Sequence, residues 1–108
     1  MSEIYSRIYP SIYFSTMHPG WSDTPAVQTS MPSFREKMIN KLRTPEQGAD
    51  TLTWMCCYPE LEKFEKGAFF QDRQPVSKHL PLATTRSTLA QETEFMKKLD
   101  ELYERFKQ

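Results

Sequence analysis

The run Ile12-Tyr13-Phe14-Ser15-Thr16-Met17 constrains this chain more than any other stretch. It is short, largely apolar and rich in β-branched and aromatic residues, the make-up of a strand buried on both faces of a parallel sheet. Such a strand needs neighbours. Gly67-Ala68-Phe69-Phe70 supplies a second short strand, and the sequence between the two is helical, so together they read as one strand-helix-strand unit. Two parallel strands leave their outer edges unpaired and do not make a stable sheet. The chain therefore reads as a piece of a larger α/β fold.

The helices are signalled by their caps. Residues 2–9 read as the tail of a helix, with Ile4 and Ile8 one turn apart and Pro10 stopping it. Ser33-Phe34-Arg35-Glu36 predicts a capping box with Ser33 as N-cap, and places Phe34, Met38 and Leu42 on one face. Thr44-Pro45-Glu46-Gln47 predicts a stronger one, opening a helix that buries Ala49, Leu52, Thr53 and Cys56. Gly48 and Ala49 are small enough to let that helix approach a sheet closely. A loop containing Pro75 and Pro81 follows the second strand. Thr88, with Gln91 at the third position, caps a last helix with an apolar stripe of Phe95, Leu99, Leu102 and Phe106; Glu94–Lys98 and Glu101–Arg105 are favourable pairs along it.

Charge and composition exclude several classes of function. Fourteen basic residues balance 14 acidic ones among 108, so nothing draws the chain to nucleic acid or to an anionic membrane surface. Near-zero net charge also offers little resistance to self-association, which is expected. No run approaches the ~20 apolar residues that span a bilayer, and MSEIYSRIYP does not have the form of a secretory signal. Cys56 and Cys57 are adjacent, which is neither a disulfide framework nor a metal spacing. An intracellular setting is expected, with one of these cysteines in the core and the other lining a groove. Single histidines, His18 and His79, give no metal cluster. His18 is expected to order its loop through hydrogen bonds and His79 to face solvent. Asp72 and Arg73 could pair locally, with a solvated face as the default.

Three landmarks fall in order: His18-Pro19-Gly20 followed by Thr24; the capped helix Thr44-Pro45-Glu46-Gln47-Gly48-Ala49; and Gly67-Ala68-Phe69-Phe70, running on into the stretch FFQDRQPVSKHLPLAT. In order and spacing they resemble the C-terminal third of the short-chain dehydrogenase/reductase family, essentially throughout the chain after about Ile12. The resemblance implies an α/β fold, the C-terminal portion of a Rossmann-like doubly wound parallel sheet, with about two strands and three to four helices in this chain. Residues 1–10 would end the preceding helix and 11–24 would form the strand and a Pro-Gly cofactor loop. Residues 25–43 would form a substrate-lid region, and 44–108 a helix, the last strand and the C-terminal helix.

It also implies a cofactor site, for NAD or NADP, at Pro19, Gly20, Trp21, Ser22 and Thr24. Backbone N–H and C=O groups of Trp21 and Ser22 would bond the nicotinamide carboxamide, the Thr24 hydroxyl would donate to the carboxamide or a phosphate, and Gly20 would let the backbone come close. The family often has an aliphatic residue where this chain has Ser22, which affects side-chain packing and leaves a backbone contact possible. Met31, Phe34, Met38 and Leu42 would close an apolar pocket over the cofactor, or alternatively form a surface helix covering the sheet.

Other parts of that chemistry are missing. The three glycines, Gly20, Gly48 and Gly67, lie too far apart to make a phosphate-binding turn. The family's Tyr/Lys pair precedes the Pro-Gly strand, whereas Tyr103 and Lys107 trail it by most of the chain; Tyr103 belongs instead with Leu99 and Phe106. No local residue inherits a catalytic role. The chain is expected to be a fragment or short form of an NAD(P)-dependent oxidoreductase acting on a carbonyl or alcohol, inactive alone and holding no cofactor tightly. A non-catalytic interaction module associating through open strand edges is the alternative, and a small independent helical domain a third reading.

Overall fold

The hydrogen-bond partners of Phe14 and Thr16 decide how this chain is built. Gly67 N–H donates to Phe14 C=O at 2.7 Å and Thr16 N–H to Ala68 C=O at 3.0 Å, opening a parallel ladder between the two sequence runs. A computed structural model describes residues 1–107. It forms two compact units, Met1–Lys78 and the segment from His79 onward.

In the first unit, α1 (Ser2–Ile8) precedes β1 (Thr16–His18), α2 (Pro25–Ser30), α3 (Pro32–Met38) and α4 (Pro45–Cys57). A 3-10 turn at Leu61–Lys63 leads to β2 (Phe69–Gln71) and β3 (Gln74–Val76). The second unit carries α5 (Leu89–Phe106). Among the described residues the sheet has three strands in the order β1-β2-β3, with β1 parallel and β3 antiparallel to β2. The class is α/β, and the sheet is mixed rather than purely parallel.

The strand expected over 12–17 is shorter and shifted. Ile12 N–H turns back to Tyr9 C=O, which leaves Ile12 exposed. Tyr5, Tyr9 and Phe14 instead form an aromatic cluster against α1. Nor is β1 buried on both faces: Thr16 and His18 are exposed and Met17 half-buried. Burial centres on β2, where Phe70 is fully enclosed and Ala68 nearly so. Trp54 and Phe64 pack edge-on against the Phe70 ring, and Tyr58 stacks on Trp54.

Helix α4 begins as its sequence predicts: Thr44 Oγ1 accepts from Gln47 N–H, and the Gln47 side chain accepts from Thr44 N–H. Its buried face is different. Gly48 and Thr51 are buried, while Ala49, Leu52, Thr53 and Cys56 face outward. The aromatic anchor at Trp54 and the close approach at Gly48 set the rotation of the helix, overriding the aliphatic spacing. Cys56 and Cys57 are both exposed free thiols, so neither is a core residue.

Ser33 is not an N-cap. Pro32, with its preset φ, occupies the first helical position of α3, Met31 precedes it without a side-chain cap, and Ser33 falls inside the first turn. The chain before it forms the short helix α2, capped by Thr24. The loop expected around Pro75 contains β3, joined to β2 by a tight turn at Asp72 and Arg73 with φ of 52° and 61°. Those two residues do not pair with each other: Asp72 binds Arg43 and Arg73 binds Asp50.

In the second unit α5 has the expected Thr88–Gln91 box. Lys98 pairs with Glu94 at 2.8 Å, whereas Glu101 faces Lys97 at 3.9 Å and Arg105 lies over the Phe106 ring. The helix buries none of its residues. His79, expected in solvent, is half-buried and shares a 2.7 Å hydrogen bond with Thr85 Oγ1. Among the described residues no helix is long and apolar enough to cross a membrane.

Candidate functional site

Loop 19–24 leaves the C-terminal end of β1, where ligands bind in open α/β sheets. Its first turn is set by His18, whose Nδ1 accepts from Gly20 N–H at 2.9 Å, as expected of a loop-ordering histidine. Gly20 has φ +76°, a left-handed conformation that a side chain makes costly. The space in front of it is not open. A Cβ on Gly20 would stand 2.9 Å from the Arg43 guanidinium, which is held by Asp72 Oδ1 and Oδ2 at 2.5 and 2.9 Å and reaches Pro19 C=O at 3.4 Å. The close approach that this glycine permits is therefore made by Arg43.

Beyond Gly20 the loop is fastened to the residue before α4. Arg43 N–H donates to Trp21 C=O and Asp23 N–H to Arg43 C=O, both at 2.8 Å, around a parallel bridge between Ser22 and Arg43. Ser22 C=O accepts from Thr24 N–H at 3.0 Å. Among the described residues the N–H groups of Trp21 and Ser22 have no protein acceptor. The Ser22 Oγ is buried without a hydrogen-bond partner, pressed toward Gly48 of α4. Thr24 caps α2: its Oγ1 accepts from Val27 N–H at 3.4 Å. That bond uses a lone pair and leaves the hydroxyl proton available to a ligand.

The lid region meets the loop at two points. Trp21 and Phe34 lie with ring centroids 5.0 Å apart. Arg35 holds Asp23 through two parallel hydrogen bonds, Nε–Oδ1 at 2.7 Å and Nη2–Oδ2 at 2.8 Å, and these keep the Asp23 carboxyl below the ordinary aspartate range. Phe34, Met38 and Leu42 are half-buried and Met31 is exposed. Trp21 itself remains 57% exposed despite its contact with Phe34, so part of its ring is open to a ligand. Asp23 and Arg35 were not singled out by sequence reasoning. A pair 12 residues apart across two short helices follows no local spacing rule.

A second polar feature adjoins the loop. Arg43, Glu46, Gln47 and Asp50 line an open depression of about 450 Å³ at the start of α4. The two fork-to-fork pairs, Arg43–Asp72 and Arg73–Asp50, bind α4 and the residue before it to the β2–β3 turn. Hydrogen bonds from these arginines hold the pKa values of Asp72 and Asp50 below the ordinary aspartate range. The lining includes none of residues 19–24, and Arg43, which also sits before Gly20, joins the depression to the loop. Tyr103 and Lys107 lie in the second unit, both exposed, with Lys107 Nζ 5.8 Å from the Tyr103 ring centroid and paired with Glu104.

No family model matches the chain, and no solved structure matches it. Two curated proteins do. Dehydrogenase/reductase SDR family member 12 of Bos taurus is 47% identical over 107 residues, and the protein of the same name from Homo sapiens is 44% identical over 107 residues. Each alignment covers 99% of this chain and 34% of the relative, so the chain spans about a third of the length of the proteins it matches. The resemblance read from the Pro-Gly loop and the capped helix thus holds along nearly the whole chain, which is related in sequence to the short-chain dehydrogenase/reductases.

Proposed function

We propose that this chain is the nicotinamide-side portion of an NAD(P)-dependent oxidoreductase, part of a Rossmann-like sheet, and that loop 19–24 holds the carboxamide end of the cofactor. The observation that carries this reading is the pattern of groups the loop leaves unused. A carboxamide needs donors for its oxygen and an acceptor for its NH2. Trp21 and Ser22 offer two N–H donors, Thr24 a hydroxyl proton, and Ser22 C=O a second lone pair beside the one given to Thr24. Trp21 C=O, bonded to Arg43 N–H, keeps a second lone pair in the same way. The donor set fits the group.

Bound NAD(P) would supply hydride transfer to or from a carbonyl or alcohol carbon. The residues of this chain bind and orient: the loop fixes the ring by its amide, and Phe34, Met38 and Leu42 on the segment beside it exclude water. Such positioning lowers a barrier by holding a near-attack geometry. The chain contributes no general acid or base and no glycine-rich phosphate turn, so by itself it is inactive and binds cofactor weakly.

The test is amide NMR with nicotinamide mononucleotide as the probe. The expected result is saturable shifts centred on Trp21, Ser22 and Thr24 and removed by Thr24→Val. Shifts that stay unsaturated, or that centre on the depression at Glu46 and Asp50, would overturn the assignment. A second reading, an interaction module, is favoured by one observation: among the described residues β1 stands at the sheet margin with a strand partner on one side only.

A further inference from the structure

The contact between loop 19–24 and α3 has the form of a latch, and its two parts differ in kind. Trp21 against Phe34 is an apolar contact with no directional demand. Asp23 with Arg35 is a planar fork on a carboxylate, which fixes both distance and orientation. Asp23 sits between Ser22, buried against α4, and Thr24, whose hydroxyl caps α2. Gln28 of α2 adds a third contact, Nε2–Oδ1 at 3.4 Å. A single carboxylate on the loop thus receives side chains from both α2 and α3.

From this geometry we infer that Arg35 is a positioning residue that acts through Asp23: it sets the loop in its ligand-ready arrangement and seats the α2–α3 segment over it. The role in cofactor binding rests on the nicotinamide reading; the latch itself does not. When the fork is broken, Trp21 and the segment loosen together, because α2 and α3 carry no fully buried residue of their own to hold them. The pair is only part-buried, so salt still weakens it, though less than a fully exposed pair, and the latch opens more readily at high ionic strength.

The experiment uses the full chain in a Trp54→Phe background, where Trp21 is the sole tryptophan. Two readouts are taken: acrylamide quenching of Trp21, and the rate of tryptic cleavage at Lys37 and Lys41. Asp23→Asn is expected to raise both by about threefold, the size reached by exposed ion pairs, with the helical circular dichroism signal unchanged. Arg35→Lys, which keeps the charge and loses the fork, is expected to fall between. The exchanged pair Asp23→Arg with Arg35→Asp is expected to return Trp21 quenching most of the way to the starting value. Unchanged quenching and cleavage in Asp23→Asn would overturn the proposal, as would an exchanged pair that behaves no better than Asp23→Asn alone. Titration with NADH separates the two readings. Energy transfer from Trp21 that weakens in Asp23→Asn supports both; a latch that responds as expected in a chain showing no transfer supports the latch and overturns the nicotinamide reading.

Discussion

Gly48 of α4 lies against Ser22 so closely that a Cβ added to it would stand 2.3 Å from Ser22 Oγ and 3.2 Å from Ser22 Cβ. This contact seats the N-terminal half of α4 on the loop. Ordinarily Gly→Ala in a helix gains about 1 kcal/mol; here overpacking, which costs about 1–3 kcal/mol, is expected to win. Gly48→Ala should therefore lower the melting temperature. Ser22→Ala removes a buried hydroxyl that has no partner and should raise it, since such a group costs about 1–3 kcal/mol. Combined, the two changes should melt above Gly48→Ala alone. A Gly48→Ala protein more stable than wild type in calorimetry would mean that the loop yields freely.

Thr24 separates structure from ligand binding. Its Oγ1 accepts from Val27 N–H, so Thr24→Val should remove the α2 cap at a cost of about 0.5–2 kcal/mol, seen as faster hydrogen exchange at Val27. Thr24→Ser keeps the hydroxyl and should preserve both the cap and the nicotinamide contact. If Thr24→Ser weakened nicotinamide mononucleotide binding as much as Thr24→Val, the hydroxyl would not be the contact.

Acid should loosen the loop and the turn together. Asp23, Asp50 and Asp72 all have folded pKa values below the ordinary aspartate value, each chiefly through hydrogen bonds from an arginine. For a carboxyl lowered on folding, the stabilisation is complete above the unfolded value, about 4, and is lost as pH falls through the folded one. The melting temperature should be flat from pH 7 down to about 5 and fall below about 4. Replacing all three by asparagine should lower the plateau and flatten the acid limb. An acid limb of undiminished steepness in that variant would place the titrating groups elsewhere.

The margin of β1 predicts how the chain behaves in solution. Thr16–His18 pairs with β2 on one side, and the net charge is zero, so nothing opposes association at the other edge. Sedimentation should show weight-average mass rising with concentration. A single monomeric species throughout, with a cooperative melt, would count against both the open edge and the interaction-module reading.

Sequence patterns located most elements and mispositioned several faces. Thr44 and Thr88 announced their helices because a capping box is a local bond network, written within four residues. Thr24-Pro25 carries the same kind of signal for α2, but the six residues after Thr24 are too few to show an apolar stripe. The rotation of α4 depends on Trp54 meeting Phe70 and Phe64, contacts between distant residues that no helical spacing encodes. The β2–β3 turn was hidden because Asp72 and Arg73 hold positive φ without glycine, an arrangement supported by their grips on Arg43 and Asp50. At the candidate site, Pro19, Gly20 and Thr24 were legible as a motif. The roles of Arg43, Asp23 and Arg35 were not, since each is defined by a partner across the fold.

The enclosure of little more than Phe70, Ala68 and Thr51 has a thermodynamic consequence. Heat capacity on unfolding follows the apolar surface newly exposed to water. A chain with so few enclosed apolar side chains has little such surface to release, so its stability should change gently with temperature, with a broad melt and weak curvature. Its fastening lies instead in forks between arginine and aspartate around the rim, and these respond to ions in the medium more than to warming or cooling.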